Sequence, residues 1–205
     1  MKRLLIIGAS GHGKVVADIA RLNGYQKIAF LDDDPAAKQC GQYPVIGTSS
    51  DVRNIDGDVI VAIGNAKIRR RIQCSVGSER IITLIHPSAV VSDAQIGCGT
   101  VIMAGAVINP GAVIGEGCII NTSSSVDHDC RVGDYVHIAV GAHVAGSVEI
   151  GDETWIGAGA TVSNNMSICP GCMIGAGAVV VSSIGISGTY VGIPARRKRM
   201  QEKDG

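Results

Sequence analysis

One of the chain's five histidines is set between two acids. In the run Asn121-Thr122-Ser123-Ser124-Ser125-Val126-Asp127-His128-Asp129-Cys130, Asp127 and Asp129 flank His128. A carboxylate held beside an imidazole stabilises the imidazolium and raises its basicity. Such a histidine, at a cleft, can take a proton from an attacking amine or hydroxyl. His128 with Asp129 is therefore the candidate catalytic pair. Zinc is the rival use of clustered histidines, but His128, His137 and His143 lack the spacing of a three-ligand site, and no metal is expected.

A second constellation lies near the start. Arg3–Ile7 reads as a short apolar strand that runs into Gly8-Ala9-Ser10-Gly11-His12-Gly13, and Lys14–Asn23 has helical spacing. A strand–GxxGxG–helix unit sets backbone N–H groups and a helix N-terminus around a phosphate, and His12 adds a donor. Ile28–Leu31 is a second strand, ending at Asp32-Asp33, where a ribose hydroxyl would be met in a dinucleotide fold. Val59–Ile63 is a third, ending at Gly64-Asn65 before a helix over Ala66–Gln73. Strands alternating with helices imply a small Rossmann-like α/β domain over residues 1–83. It is too small for a whole dinucleotide, so a mononucleotide or nucleotide sugar fits better.

From Leu84 to Ile186 every sixth residue is Leu, Ile or Val. Neither helix nor strand has that period. It fits a chain that turns a corner every six residues and passes beneath itself after three, so that residues eighteen apart stack. The reading predicts a parallel β-helix over 84–186 with the period unbroken, each aliphatic residue pointing inward. Small residues fill most sites two places earlier, among them Ala106, Ala112, Cys118 and Ala142. Gly97, Gly115, Gly133, Gly151, Gly157 and Gly175 follow the aliphatic site directly and are read as the positive-φ corners, with Asn109, Asn121 and Asp127 in the same slot. Residues 187–205 become charged and read as a cap or tail, with a basic cluster at Arg196–Arg199.

Composition narrows the classes. Aromatic residues make up 3%, which suits a narrow prism filled by Ile, Val and Ala. Net charge is +0, so nothing marks a nucleic-acid or membrane surface, and no apolar run reaches the roughly 20 residues of a membrane span. Seven cysteines, an odd number, read as reduced thiols in a cytoplasm. Cys169-Pro170-Gly171-Cys172 has CxxC spacing with no second pair and reads as small hydrophobes.

These blocks, with Leu84-Ile85-His86-Pro87-Ser88-Ala89 and Gly192-Ile193-Pro194-Ala195, resemble the NeuD/PglD-type left-handed β-helix acyltransferases over nearly the whole chain. The resemblance implies a homotrimer with acetyl-coenzyme A lying between adjacent β-helices. It makes His128 the general base, with Asp129 raising its basicity, and Asn121 part of the active-site lining. It implies coenzyme contacts at His137, Gly146, Ala158 and Ala176. It places phosphate-side contacts at Ser10, Gly11 and His12, nucleoside contacts at Asp32 and Asp33, and a further contact at Gly64. The implied reaction is N-acetylation of a nucleotide-linked 4-amino-4,6-dideoxy sugar by direct transfer. O-acetylation of a sialic acid is the alternative, and a nucleotide-binding module without catalysis is the reading from another class.

Overall fold

The structure, a computed structural model, describes residues 2–198. Strand β1 (Arg3–Ile7), helix α1 (Gly11–Leu22) and strand β2 (Lys27–Leu31) make a parallel crossover. A hairpin of β3 (Gln39–Cys40) with β4 (Tyr43–Pro44) and a 3₁₀ turn over Ser49–Asn54 lead to β5 (Asp58–Val61) and α2 (Ala66–Ser75). The sheet order is β2-β1-β5, all parallel. The run Leu4-Leu5-Ile6-Ile7 is apolar throughout because both faces of this strand are covered. Leu4 and Ile6 join the core beneath α1, whereas Leu5 and Ile7 join Val52, Ile72 and Val76 on the other side. α1 starts at Gly11, ahead of the expected Lys14. Gly13 is there for want of room: a Cβ would lie 2.9 Å from the Phe30 ring.

The rest of the chain winds into a parallel β-solenoid of two-residue strands. Face one stacks the strands beginning at Leu84, Val101, Ile119, His137, Trp155, Met173 and Thr189. Face two stacks those at Val90, Val107, Ser125, His143, Thr161 and Val179, and face three those at Gln95, Val113, Arg131, Glu149 and Ser167. Ile102, Ile120, Ile138, Ile156 and Ile174 form one inward column, and the small residues Ala106, Cys118, Ala142 and Ala160 lie buried beside them.

The unbroken period fails at both ends. Register pairs Ile85 with Ile102 and Val91 with Ile108, so the inward column begins one residue later than Leu84 and Val90. Val90 is exposed, and Leu84 turns outward into the core of the N-terminal part. One residue fewer between Val91 and Ile96 restores the phase. At the far end Ile184 bridges Ile168 and is buried, whereas Ile186 is 61% exposed.

The glycines divide differently from the expectation. Positive φ falls three residues after the inward site, at Gly99, Gly105, Gly117 and Gly141 and at the non-glycines Ser123, Asp129, Tyr135, Ser147, Glu153 and Asn165. The glycines directly after the inward site answer to crowding. A Cβ on Gly115 would lie 2.7 Å from the Gly133 carbonyl carbon of the next coil, and one on Gly157 would lie 2.6 Å from Ile174 O.

At the C-terminal end, Thr189–Val191 extends face one and pairs antiparallel with Arg196–Arg197. Those two arginines thus belong to a capping hairpin, with Arg197 Nη2 donating to Ser187 O at 3.0 Å. Arg199, the end of the basic cluster, lies outside the described residues.

The two parts share one apolar layer. Leu84, Val101, Met103 and Ile119, on or beside face one, pack with Leu4, Ile6, Val16 and Ile60.

Candidate active site

His128 stands two residues past the inward Val126, on the edge between faces two and three. The following residue, Asp129, takes the left-handed corner with φ 59°, which turns its carboxylate back onto the imidazole. Asp129 Oδ2 lies 2.8 Å from His128 Nδ1. Asp127 Oδ1 accepts from His128 N and from Asn109 Nδ2, both at 2.8 Å, and so fixes the loop from below. The hydrogen bond to Asp129 and the charge of Asp127 raise the His128 pKa above its ordinary value. With Nδ1–H held by Asp129, Nε2 is the basic nitrogen. One coil on, Gly146 makes room for it, since a Cβ there would sit 2.5 Å from Nε2. The Gly146 N–H has no protein acceptor among the described residues.

Asn121 and His137 lie on and beside face one. Asn121 Oδ1 accepts from Thr122 N at 2.8 Å, which turns Nδ2 toward His137 Nε2 at 3.1 Å. His137 Nε2 is therefore an acceptor and its proton sits on Nδ1. The imidazole lies against Trp155, ring centres 4.3 Å apart, and is 8% exposed. Burial, then the charges of Arg69 and His12, push its pKa down to about 3. His12, in the first turn of α1, is half-buried in the same junction. Desolvation and Arg69 hold its pKa at about 4. Both histidines are neutral at pH 7. His12 Nε2 and His137 Nδ1 are buried without a protein partner.

Arg69 was not foreseen. It is 1% exposed and bridges the two parts through carbonyls alone: Nε to Gly117 O at 2.7 Å, Nη2 to Tyr135 O at 2.6 Å, and Nη1 to Ile63 O and Gly64 O at 2.8 and 2.9 Å. Its sequence signal is a charge on the same stripe of α2 as the buried Ile72 and Gln73.

Ser10 is the N-cap of α1 and makes no side-chain cap bond, and the first turn of the helix holds no acid. That leaves the opening turn suited to an anion. Asp32 holds this loop, its Oδ2 accepting from Ala9 N at 2.6 Å and Oδ1 from Asp34 N at 2.9 Å. Asp33 accepts from Ser49 N and Ser49 Oγ at 2.8 and 2.9 Å. Their visible work is to shape the loops beside that turn. Gly64 has open space where a Cβ would stand.

Within one chain the expected residues of the solenoid and the opening turn form three groups. Ser10, Gly11, His12, Gly64, Asn121 and His137 gather where the N-terminal part meets face one. His128, Asp129 and Gly146 lie on the edge opposite that face. Ala158 and Ala176 lie on a third line, the edge between faces one and two, with N–H groups that meet no protein acceptor among the described residues.

A small parallel α/β domain docked on a hexapeptide solenoid, with a carboxylate-supported histidine at a solenoid edge, defines the class of bacterial hexapeptide transferases. Residues 3–76 match the PglD N-terminal domain, and residues 93–128 and 147–182 match the bacterial transferase hexapeptide repeats. The acetyltransferase domain of PglB from Neisseria gonorrhoeae FA1090 is 42% identical with a TM-score of 0.92, covering 97% of this chain and 100% of that one. It has also been solved with acetyl coenzyme A. PerB from Caulobacter crescentus, solved with CoA and GDP-perosamine, is 35% identical with a TM-score of 0.90, covering 97% of this chain and 98% of that one. UDP-N-acetylbacillosamine N-acetyltransferase of Bacillus subtilis strain 168 is 38% identical, but the match covers only 51% of this chain and 52% of that protein. The chain belongs to the PglD/PerB family of acetyl-CoA-dependent nucleotide-sugar N-acetyltransferases.

Proposed function

We propose that the protein transfers acetyl from acetyl-CoA to the 4-amino group of a nucleotide-linked 4-amino-4,6-dideoxy sugar, with a site shared between subunits of a homotrimer. The observation that carries this reading is the His128–Asp129 pair, its basic Nε2 facing the space that Gly146 leaves open. The relatives solved with acetyl coenzyme A and with CoA and GDP-perosamine support the donor and the acceptor class.

The sugar ammonium must lose its proton before nitrogen can attack. That first proton goes to solvent; His128 takes a second from the amine as its nitrogen bonds to the thioester carbonyl carbon, and Asp129 stabilises the imidazolium that results. The Gly146 N–H, free of protein acceptors, meets the oxyanion of the tetrahedral intermediate. The intermediate then collapses, the C–S bond breaks and the coenzyme A thiolate leaves with the electron pair. No acyl-enzyme forms, so none of the cysteines takes part. The opening turn of α1, with Ser10, Gly11 and His12, receives the diphosphate of the acceptor, while Asp32, Asp33 and Gly64 border the nucleoside. Asn121 lines the sugar end, His137 contacts the coenzyme, and the backbone at Ala158 and Ala176 carries the pantetheine arm.

Thiol release from acetyl-CoA tests this, against UDP-, dTDP- and GDP-linked 4-amino sugars and free sialic acid, with wild type and His128→Ala. Release with one nucleotide amino sugar, lost in the variant, is expected. Release with sialic acid alone would move the assignment to O-acetylation.

A further inference from the structure

Helix α2 carries three consecutive arginines, and two of them have partners within the protein. Arg69 holds the carbonyls of the junction, and Arg70 Nη1 meets Glu153 Oε1 at 2.9 Å. Arg71 is exposed and forms no ion pair among the described residues. It lines a cleft of about 350 Å³ together with Ile72 and Ser75 of its own helix and with Ser49, Val52 and Arg53 of the 3₁₀ turn. Arg53 is likewise exposed and without an ion pair among the described residues. No carboxylate lines the cleft. Asp51, in the same turn, points its Oδ2 at Thr48 N and Thr48 Oγ1, at 2.7 and 2.9 Å.

The cleft lies across the sheet from α1. Val52 and Ile72 form its buried floor and pack with Leu5 and Ile7, whereas α1 covers Leu4 and Ile6. It is therefore separate from the opening turn assigned to the acceptor diphosphate. A guanidinium presents paired N–H donors that match a phosphate, and two of them without a carboxylate make a seat for one. The volume exceeds what a bare phosphate fills and falls in the range of small organic ligands. Ser75 Oγ donates to Ile72 O at 2.7 Å, which leaves its lone pairs to accept from a ligand hydroxyl.

We infer that this cleft is a second binding site, for a small hydroxylated phosphate monoester, and that Ser49 links it to the acceptor site. Ser49 N and Oγ both donate to the Asp33 carboxylate, at 2.8 and 2.9 Å. The hydroxyl has a single proton to donate. A phosphate oxygen seated in the cleft draws that hydrogen bond to itself, and Asp33 Oδ2 is then open to accept from the nucleoside. Occupancy therefore tightens the acceptor, and the acceptor tightens the phosphate ester by the same factor. The link rests on the placing of Asp33 beside the nucleoside in the proposed function, whereas the site itself does not.

Titration calorimetry with glucose 1-phosphate, inorganic phosphate and glucose reads the site. Wild type should bind glucose 1-phosphate more tightly than phosphate, and glucose not at all. The double variant Arg53→Gln/Arg71→Gln should weaken glucose 1-phosphate by about tenfold or more. Both side chains are exposed, so its melting temperature and its transfer rate without the ester should match wild type. With glucose 1-phosphate saturating, the Kd of a matched nucleotide amino sugar should fall about fivefold in wild type. Ser49→Ala leaves Asp33 Oδ2 open throughout, so it should show the lower Kd from the start and no further response. Unchanged binding in the double variant would overturn the site. So would an ester that raises the acceptor Kd, which is the mark of competition at the opening turn of α1. Binding that needs both arginines but leaves the acceptor Kd unmoved would overturn the link and keep the site. Transfer to no nucleotide sugar, with that binding intact, would sink the proposed function alone.

Discussion

His128 Nδ1 lies 2.8 Å from Asp129 Oδ2, and the contact exists because Asp129 adopts the left-handed φ of 59° at the solenoid corner. Glycine fills that slot in most coils, so here the turn itself carries the acid that tunes the base. His128→Ala should lower kcat by about 10² to 10⁴ with the acceptor KM within a few-fold, since a general base acts mainly on the chemical step. Steady-state kinetics on a matched acceptor checks it.

Asp129 also sets the pH profile. The raised pKa of His128 means that base function is lost as pH falls through that raised value. Asp129→Asn removes the first cause of the shift, so the acidic limb of kcat/KM should move to lower pH. The plateau should fall by about tenfold, because a weaker base abstracts the proton less readily. An unmoved limb would show that another group governs it.

Gly146→Ala places a Cβ 2.5 Å from His128 Nε2 and 2.7 Å from Cε1. Gly146 is absent from the positive-φ residues, so the added methyl costs little in backbone strain. The imidazole must swing away, and kcat should drop by about tenfold or more with the melting temperature nearly unchanged. Equal losses of activity and stability would mean the methyl disturbs the coil instead.

The two histidines of the junction link stability to pH with a defined sign. His12 and His137 have folded pKa values of about 4 and about 3, below the unfolded value of about 6.5. Unfolding therefore takes up protons between these limits, and their contribution to stability is whole above about pH 6.5 and fades as pH falls. Two such groups give a slope of roughly 2 to 3 kcal/mol per pH unit near pH 5. His137→Phe should remove about half of it, as denaturant titrations at several pH values would show.

Arg69→Met leaves the carbonyls of Gly117, Tyr135, Ile63 and Gly64 without the donor that joins them. Each buried carbonyl left bare costs about 1 to 3 kcal/mol. The N-terminal part should then melt ahead of the solenoid in calorimetry, where wild type melts in one step. Arg69→Lys should not rescue, since one ammonium cannot span carbonyls on two sides.

The inward column from Ile96 to Val180 was legible because a six-residue aliphatic period has few other origins. Its ends were not, because Leu84-Ile85 and Val90-Val91 offer two adjacent aliphatic residues and periodicity cannot choose between them. The glycine slots misled for a similar reason: crowding and positive φ both select glycine, and only geometry separates Gly115 from Gly117. His128 and Asp129 could be paired from the sequence, being neighbours in it. Arg69 could not, since its partners are backbone carbonyls that every sequence supplies. The division of the site between opposite edges was equally hidden, as it depends on which face the N-terminal part covers.

Leu84, Val101, Met103 and Ile119 are wetted by no solvent because Leu4, Ile6, Val16 and Ile60 lie on them. An acceptor-reading unit of this kind is accordingly not portable. Grafting a foreign one onto this solenoid, to retarget the enzyme to another sugar, would set a new underside against an imprint shaped for the old. The graft would have to carry its own versions of those four side chains, so a change of substrate by recombination would have its crossover point inside the solenoid, past Ile119.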